Sequence, residues 1–181
     1  MFTKKNIIFL VLSIVLGYGL FYLIGGHVLA AIFGVLWFDK VIIGTAGLPH
    51  KFGVEFTTIA TILMGIIYGP VIAFFLTLIL LPVLYGLKYL LLPLAPPTWP
   101  LFVPSPQNFV DAVGAAVAGL LGSFSLLIIF LVAFAVKEIA YVIVDLSIGK
   151  PPDIIYPGVN FIVNLLIVLK LGDFFLGLVG L

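Results

Sequence analysis

The chain has 181 residues, is 64% hydrophobic and 8% charged, and has a net charge of +1, with a mean hydropathy of +1.42. This composition lies far outside the soluble range and indicates an integral membrane protein whose architecture is set by hydrophobic length. The small net charge argues against a nucleic-acid partner, the lack of cysteine removes disulfides and thiolate chemistry, two histidines argue against a haem or histidine-rich metal centre, so that no cofactor is expected, and the absence of arginine weakens a phosphotransfer reading.

Apolar length and breakers predict spans at about 6–25, 27–47, 54–69 and 70–92, one or two within 112–148, and one at 157–180. The expectation is an all-α, polytopic, single domain over 1–181 with about six transmembrane helices. No small-residue cleavage site follows the first apolar segment, so no cleaved signal peptide is expected. Gly25-Gly26-His27 separates the first two spans, and Asp39 and Lys40 cut the second short, leaving 41–53 as a loop with a Gly-Leu-Pro turn. Residues 54–92 would make a single helix of about 58 Å, twice the ~30 Å hydrocarbon core. The stretch GIIYGPVIAFF (65–75) resolves this: Pro70 lacks an amide proton and Gly69 is conformationally free, so the pair predicts a turn between two spans.

Residues 93–108, PLAPPTWPLFVPSPQN, contain six prolines and predict an extended connection at the membrane interface, anchored by Trp99 and Phe102. The segment 112–148 is too long for one upright span, and Gly119, Gly122, Ser123 and Ser125 offer a place to break it. If it breaks there, 27–47 becomes a re-entrant or interfacial piece. Lys4, Lys5, Lys40, Lys51 and Lys88 are expected on the cytoplasmic side of the cell membrane, with both termini inside and the loop 146–157 outside.

Charged groups at bilayer depth cost ~2.5–3.5 kcal/mol or more each, so their positions are informative. Glu138, Tyr141 and Asp145 are spaced i, i+3 and i+7 on one helical face, and Asn160 and Asn164 are i, i+4 on the next helix. Antiparallel neighbours would bring both stripes together as a pocket for a small polar solute. In the competing structural reading Lys137 pairs with Glu138 or a carbonyl, Asp145 sits at the interface and the asparagines are interhelical glue. Glu55 reads as an N-terminal helix charge, Lys170 and Asp173 as a neutralised pair, and Trp37 and Trp99 as interface anchors. Small residues at i, i+4, namely Ser13 and Gly17 and then Gly114, Ala118 and Gly122, mark faces where helices or partner subunits can approach closely.

The stretch GVEFTTIATILMGIIYGPVIAFFLTLI (53–79) resembles the substrate-binding S components of energy-coupling factor transporters, with Glu55 opening a helix that ends at the Gly69-Pro70 turn. YPGVNFIVNLLIVL (156–169) is similar to that family's last helix. The resemblance implies a vitamin or metal-ion binder, held in membrane lipid, that works with partner subunits: a T subunit and paired ATPases. It also implies a Gly-Pro turn on the inside, which would move Lys40, Lys51 and Lys88 outward. The related MreD-like fold implies instead a scaffold or accessory subunit without a ligand. A third reading, an intramembrane aspartyl protease, is what the similarity of KLGDFFLG (170–177) and AYVIVD (140–145) to the aspartate segments of presenilin-like proteases implies. The expectation is a non-enzymatic, solute-binding membrane subunit.

Overall fold

The computed structural model describes residues 4–46, 53–92, 94–151, 153 and 155–181. Helix α1 (Lys4–Trp37) runs on through a π-helical turn (Phe38–Ile43) into the short α2 (Gly44–Ala46), followed by α3 (Thr57–Leu91), α4 (Pro106–Leu120), α5 (Leu126–Ser147) and α6 (Ile155–Leu178), with no strand among the described residues. Four helical stretches, Lys4–Ile43, Thr57–Leu91, Leu126–Ser147 and Ile155–Leu178, are long and apolar enough to cross a membrane. In such a chain exposed apolar side chains face lipid, while every backbone polar group must be satisfied internally, which favours helices.

Two of these stretches fold back on themselves. In α1 the backbone leaves helical geometry at Gly25 and Gly26. Beyond that point the Phe33 ring stacks on Phe21 at 4.6 Å and the Trp37 indole donates to Ser13 Oγ at 3.0 Å. In α3 the break is Gly69, at φ +74°, a left-handed conformation that only glycine adopts readily. A straight helix over 57–91 would hold its ends about 50 Å apart, yet Glu55 and Lys88 line one cavity. The Gly-Pro pair is therefore a turn between two antiparallel arms, as the sequence predicts.

The predicted break within 112–148 is also present, between α4 and α5, but α4 begins at Pro106 rather than near 112. Proline at the first helical position and a reciprocal Ser105–Asn108 capping box start it there. Residues 27–46 continue as helix through Asp39 and Lys40, so the loop expected from 41 begins no earlier than 47; its Gly-Leu-Pro turn, His50 and Lys51 lie outside the described residues.

The first arm of α3 is the centre of the molecule, with every residue from Thr57 to Gly65 buried. It runs beside α4, where Gly65 meets the backbone of Ala115 and Gly119, and Gly119 meets the backbone of Gly69 and Pro70. Helix α5 returns antiparallel, and Gly172 of α6 lies beside Leu126 at the start of α5. The bundle thus has a charged end, holding Asn6, Lys88, Asp145 and Asp153, and an opposite end formed by the turns at 25–26, 69–70 and 121–125. Asn6 donates to the Leu91 carbonyl at the first, whereas Gly180 approaches His27 at the second. The described chain ends lie at opposite ends of the bundle, and the 146–157 loop shares its end with Lys40 and Lys88. The number of helical segments between the two termini, each reversing direction, is the reason.

The small-residue stripes are used within the chain. Ser13 receives Trp37, Gly17 lies under the Phe33 ring, Gly114 lies against the Lys137 stem, Ala118 is fully buried near Gly65, and Gly122 sits in the exposed α4–α5 turn.

A Cβ on Gly65 would stand 2.3 Å from the Ala115 carbonyl oxygen, a backbone atom that cannot move aside cheaply, whereas one on Gly158 would meet nothing. Gly65→Ala is expected to destabilise by about 1–3 kcal/mol. Gly158→Ala should be neutral or stabilising by up to about 1 kcal/mol. Thermal unfolding in detergent checks both.

Candidate functional site: an ionic floor beneath a cavity

Glu55 stands just before α3 and is 5% exposed. Gly53, at φ +84°, itself presses against the first turn of α6, where a Cβ would lie 2.3 Å from the Tyr156 carbonyl oxygen. So placed, Glu55 is surrounded from four directions. Lys40 of the π-helical turn lies 3.4 Å from Oε2, and Lys137 of α5 lies 3.9 Å from Oε1. Asn160 of α6 donates to Oε1 at 2.7 Å, and Asn164 donates to the Glu55 carbonyl at 3.2 Å. The Tyr156 phenol turns towards the same carboxylate.

Two further carboxylates complete the network. Asp39, 1% exposed, pairs with Lys40 at 3.3 Å and accepts from the Phe56 amide at 2.7 Å and the Thr57 hydroxyl at 2.6 Å. It therefore caps the start of α3 from another helix, offering negative charge to the exposed amides there. Asp111 of α4 lies 2.9 Å from Lys137 Nζ, close enough for an ion pair but off the line of a directional hydrogen bond. The directional bond of Lys137 goes instead to Thr58 Oγ1 at 2.7 Å. Lys137 is 1% exposed, and its ammonium also sits 5.7 Å from the Tyr141 ring centre.

Above this floor is a cavity of about 490 Å3, within the usual range for small-molecule sites. Helix lengths explain it. The first α3 arm, residues 57–68, spans only about 18 Å, whereas the second, 70–91, spans about 33 Å. The space above the shorter arm is walled by Leu81, Tyr85 and Lys88 from α3, Tyr141, Val142 and Asp145 from α5, and Tyr156 from α6. The Pro-rich connection folds over the rim instead of lying apart from the bundle. Trp99 lines the cavity, its indole donating to the Val103 carbonyl at 3.1 Å, and the Phe102 ring packs on Gly86.

The five residues expected to form the site divide into two groups. Glu138, Tyr141 and Asp145 line the cavity from one face of α5, and the Glu138 Oε1 atom is buried without a hydrogen-bond partner. Asn160 and Asn164, 1% and 0% exposed, do not line it; they hold Glu55 and each other, Asn164 donating to Asn160 Oδ1 at 2.7 Å. Sequence reasoning missed Asp39, Lys40, Glu55 and Asp111 as members of the site. The available signal was the grouping of acidic residues with lysines at spacings that no single helix would bury unpaired. Asp145 and Asp173 lie far apart, because residue 172 sits beside residue 126 while Asp145 is about five turns along α5. They form no dyad, and Lys170 and Asp173 are both exposed.

Comparison with models of known protein families, with curated proteins and with solved structures finds no match to this chain.

Lys137→Met would leave Asp111 and part of Glu55 buried without a cation, and is expected to destabilise by about 3–5 kcal/mol. Adding Asp111→Leu should recover most of that loss, since removing both partners of a buried pair is far less harmful than removing one. Thermal unfolding of the two variants in detergent is the check.

Proposed function

We propose that the chain is the membrane-embedded solute-binding subunit of a multi-subunit uptake transporter, of the kind the S-component resemblance implies. Its cavity captures a small polar solute at the charged end and partner subunits carry the solute onward. The single supporting observation is the cavity itself. It lies over an ionic floor in which both lysines are ion-paired, while Glu138 and Asp145 on its wall take no part in those ion pairs. Groups needed only for folding would be engaged with one another; these project into a void instead. The four apolar stretches, two of them folded into hairpins, are read as about six crossings of the cell membrane, with the arm 57–68 stopping part-way at the ionic floor.

The first arm of α1 supports the partner element. It touches the bundle along one face, through Asn6, Leu10, Ser13, Ile14, Gly17 and Phe21, and leaves Leu16, Leu20, Leu23 and Ile24 broadly exposed on the other. The same surface favours a second reading, an accessory subunit that holds neighbours and binds no solute.

Two measurements separate these readings. Heat extraction of the purified protein followed by mass spectrometry should release a small molecule at near-stoichiometric yield, and Val142→Trp, which fills the cavity from its wall, should abolish the release with little change in melting temperature. An empty wild-type chain would favour the accessory role. The chain has no cysteine, so Lys150→Cys in the exposed α5–α6 loop provides a unique label. Uptake from outside requires this residue to react with a membrane-impermeant maleimide in intact cells; reaction only after permeabilisation would reverse the direction of capture.

A further inference from the structure

We propose that the ligand of this cavity is a small organic cation, an amine or quaternary ammonium ion, held between Glu138 and Asp145 and against the aromatic rings of the wall. The proposal rests on the reading of the cavity as a ligand site and adds the chemical class of the ligand.

Charge leads to this class. The cavity is lined by two lysines, Lys40 and Lys88, and by the acidic residues Glu55, Asp111, Glu138, Asp145 and Asp153. Behind the floor Asp39 and Lys137 join them, giving six carboxylates and three ammonium groups. Both floor lysines are taken up by Asp39, Glu55 and Asp111. Lys88 lies over the Tyr85 and Tyr89 rings at 5.7 and 5.3 Å. Asp153 is occupied in capping the amides of Ile155 and Tyr156 at 2.9 and 3.2 Å. Glu138 and Asp145 remain, with no ion pair among the described residues.

A second and independent observation comes from the Glu138 Oε1 atom, which is buried yet accepts no hydrogen bond. A buried acceptor without a donor is costly, and an ammonium group supplies both the donor and the charge. Tyr85, Trp99, Tyr141 and Tyr156 line the same space, and aromatic faces attract cations within about 6 Å. An anion would find less: no arginine exists in the chain, Lys40 is held by Asp39 and Glu55, and Lys88 is the one lining lysine without an ion pair among the described residues. A bare metal ion suits the geometry poorly. Glu138 and Asp145 are seven residues apart, about 10 Å along the helix, and no set of three metal-ligating side chains converges among the described residues. That separation, with the Tyr141 ring between, matches the length of an organic molecule.

The test uses the purified full chain in detergent with Trp37→Phe, so that Trp99 is the sole tryptophan, and titrates its fluorescence with benzylamine, benzyl alcohol, benzoate and calcium chloride at matched ionic strength. Calorimetry on the wild-type chain serves as the second measurement should Trp37→Phe fold poorly. Benzylamine is expected to bind saturably, and benzyl alcohol and benzoate at least ~10-fold more weakly. Glu138→Gln and Asp145→Asn should each weaken benzylamine at least ~5-fold without lowering the melting temperature of the unliganded chain. Equal binding of benzoate or benzyl alcohol, or indifference to both substitutions, overturns the cation class while leaving the cavity a ligand site. Saturable calcium binding without benzylamine binding replaces the class with a metal ion. No saturable response to any of the probes also overturns the proposal, and release of a molecule by heat extraction would then show that solute binding stands without it.

Discussion

A carboxylate placed part-way down an apolar bundle must be met by cations and donors, and in this protein the burial of Glu55 decides which elements come together. The π-helical turn supplies Lys40, α5 supplies Lys137, and α6 supplies Asn160 and Asn164. Asp39 and Asp111 then balance the two lysines from α1's extension and α4. Five separate parts of the chain are thus tied at one level. Each charge alone would cost several kcal/mol at that depth, so the network is stable only when complete. An apolar cluster of similar volume would pack the same helices, but it would not distinguish one rotation of α5 or α6 from another. The ion pairs do, because a turn of either helix by one residue removes Lys137 or Asn160 from Glu55.

The same constraint creates the cavity. Because the chain enters α3 at the level of Glu55, the first arm is short and the second continues well past it. The volume above the short arm has walls but no filling helix, and the Pro-rich connection closes only its rim. Each proline in that connection removes a donor that would otherwise need a partner, while the Ser105–Asn108 box fixes where α4 begins. Trp99 donates to Val103 within the connection, and the Phe102 ring rests on Gly86, so no ion pair ties the rim as the floor is tied among the described residues.

Lysines normally read as orientation signals have a different role here. Lys40 is bound into the ionic floor and Lys88 lies over tyrosine rings. Neither is a loop charge facing bulk water, and both line the same cavity as Asp145 and Asp153. The charge rule applies to residues flanking a span and within reach of headgroups; side chains paired inside the bundle fall outside it.

Much of the architecture follows from local chemistry. The chain's apolar length, the turn at Gly69-Pro70, the reversal at Gly25-Gly26 and the break after Gly119 are each written in residues whose backbone freedom or missing amide leaves few alternatives. The face of Glu138, Tyr141 and Asp145 was also legible, because helical spacing alone puts them in line. The identity of their neighbours was not. Asn160 and Asn164 have the same spacing signature as a ligand-binding stripe, and only the arrival of Glu55, more than a hundred residues away in the chain, makes them its supports. Asp39 and Asp111 likewise look like flaws in apolar spans until tertiary contacts provide their lysines. Local sequence determines backbone direction and which side chains share a helical face; packing across distant segments determines which buried charges neutralise one another and which are left facing open space.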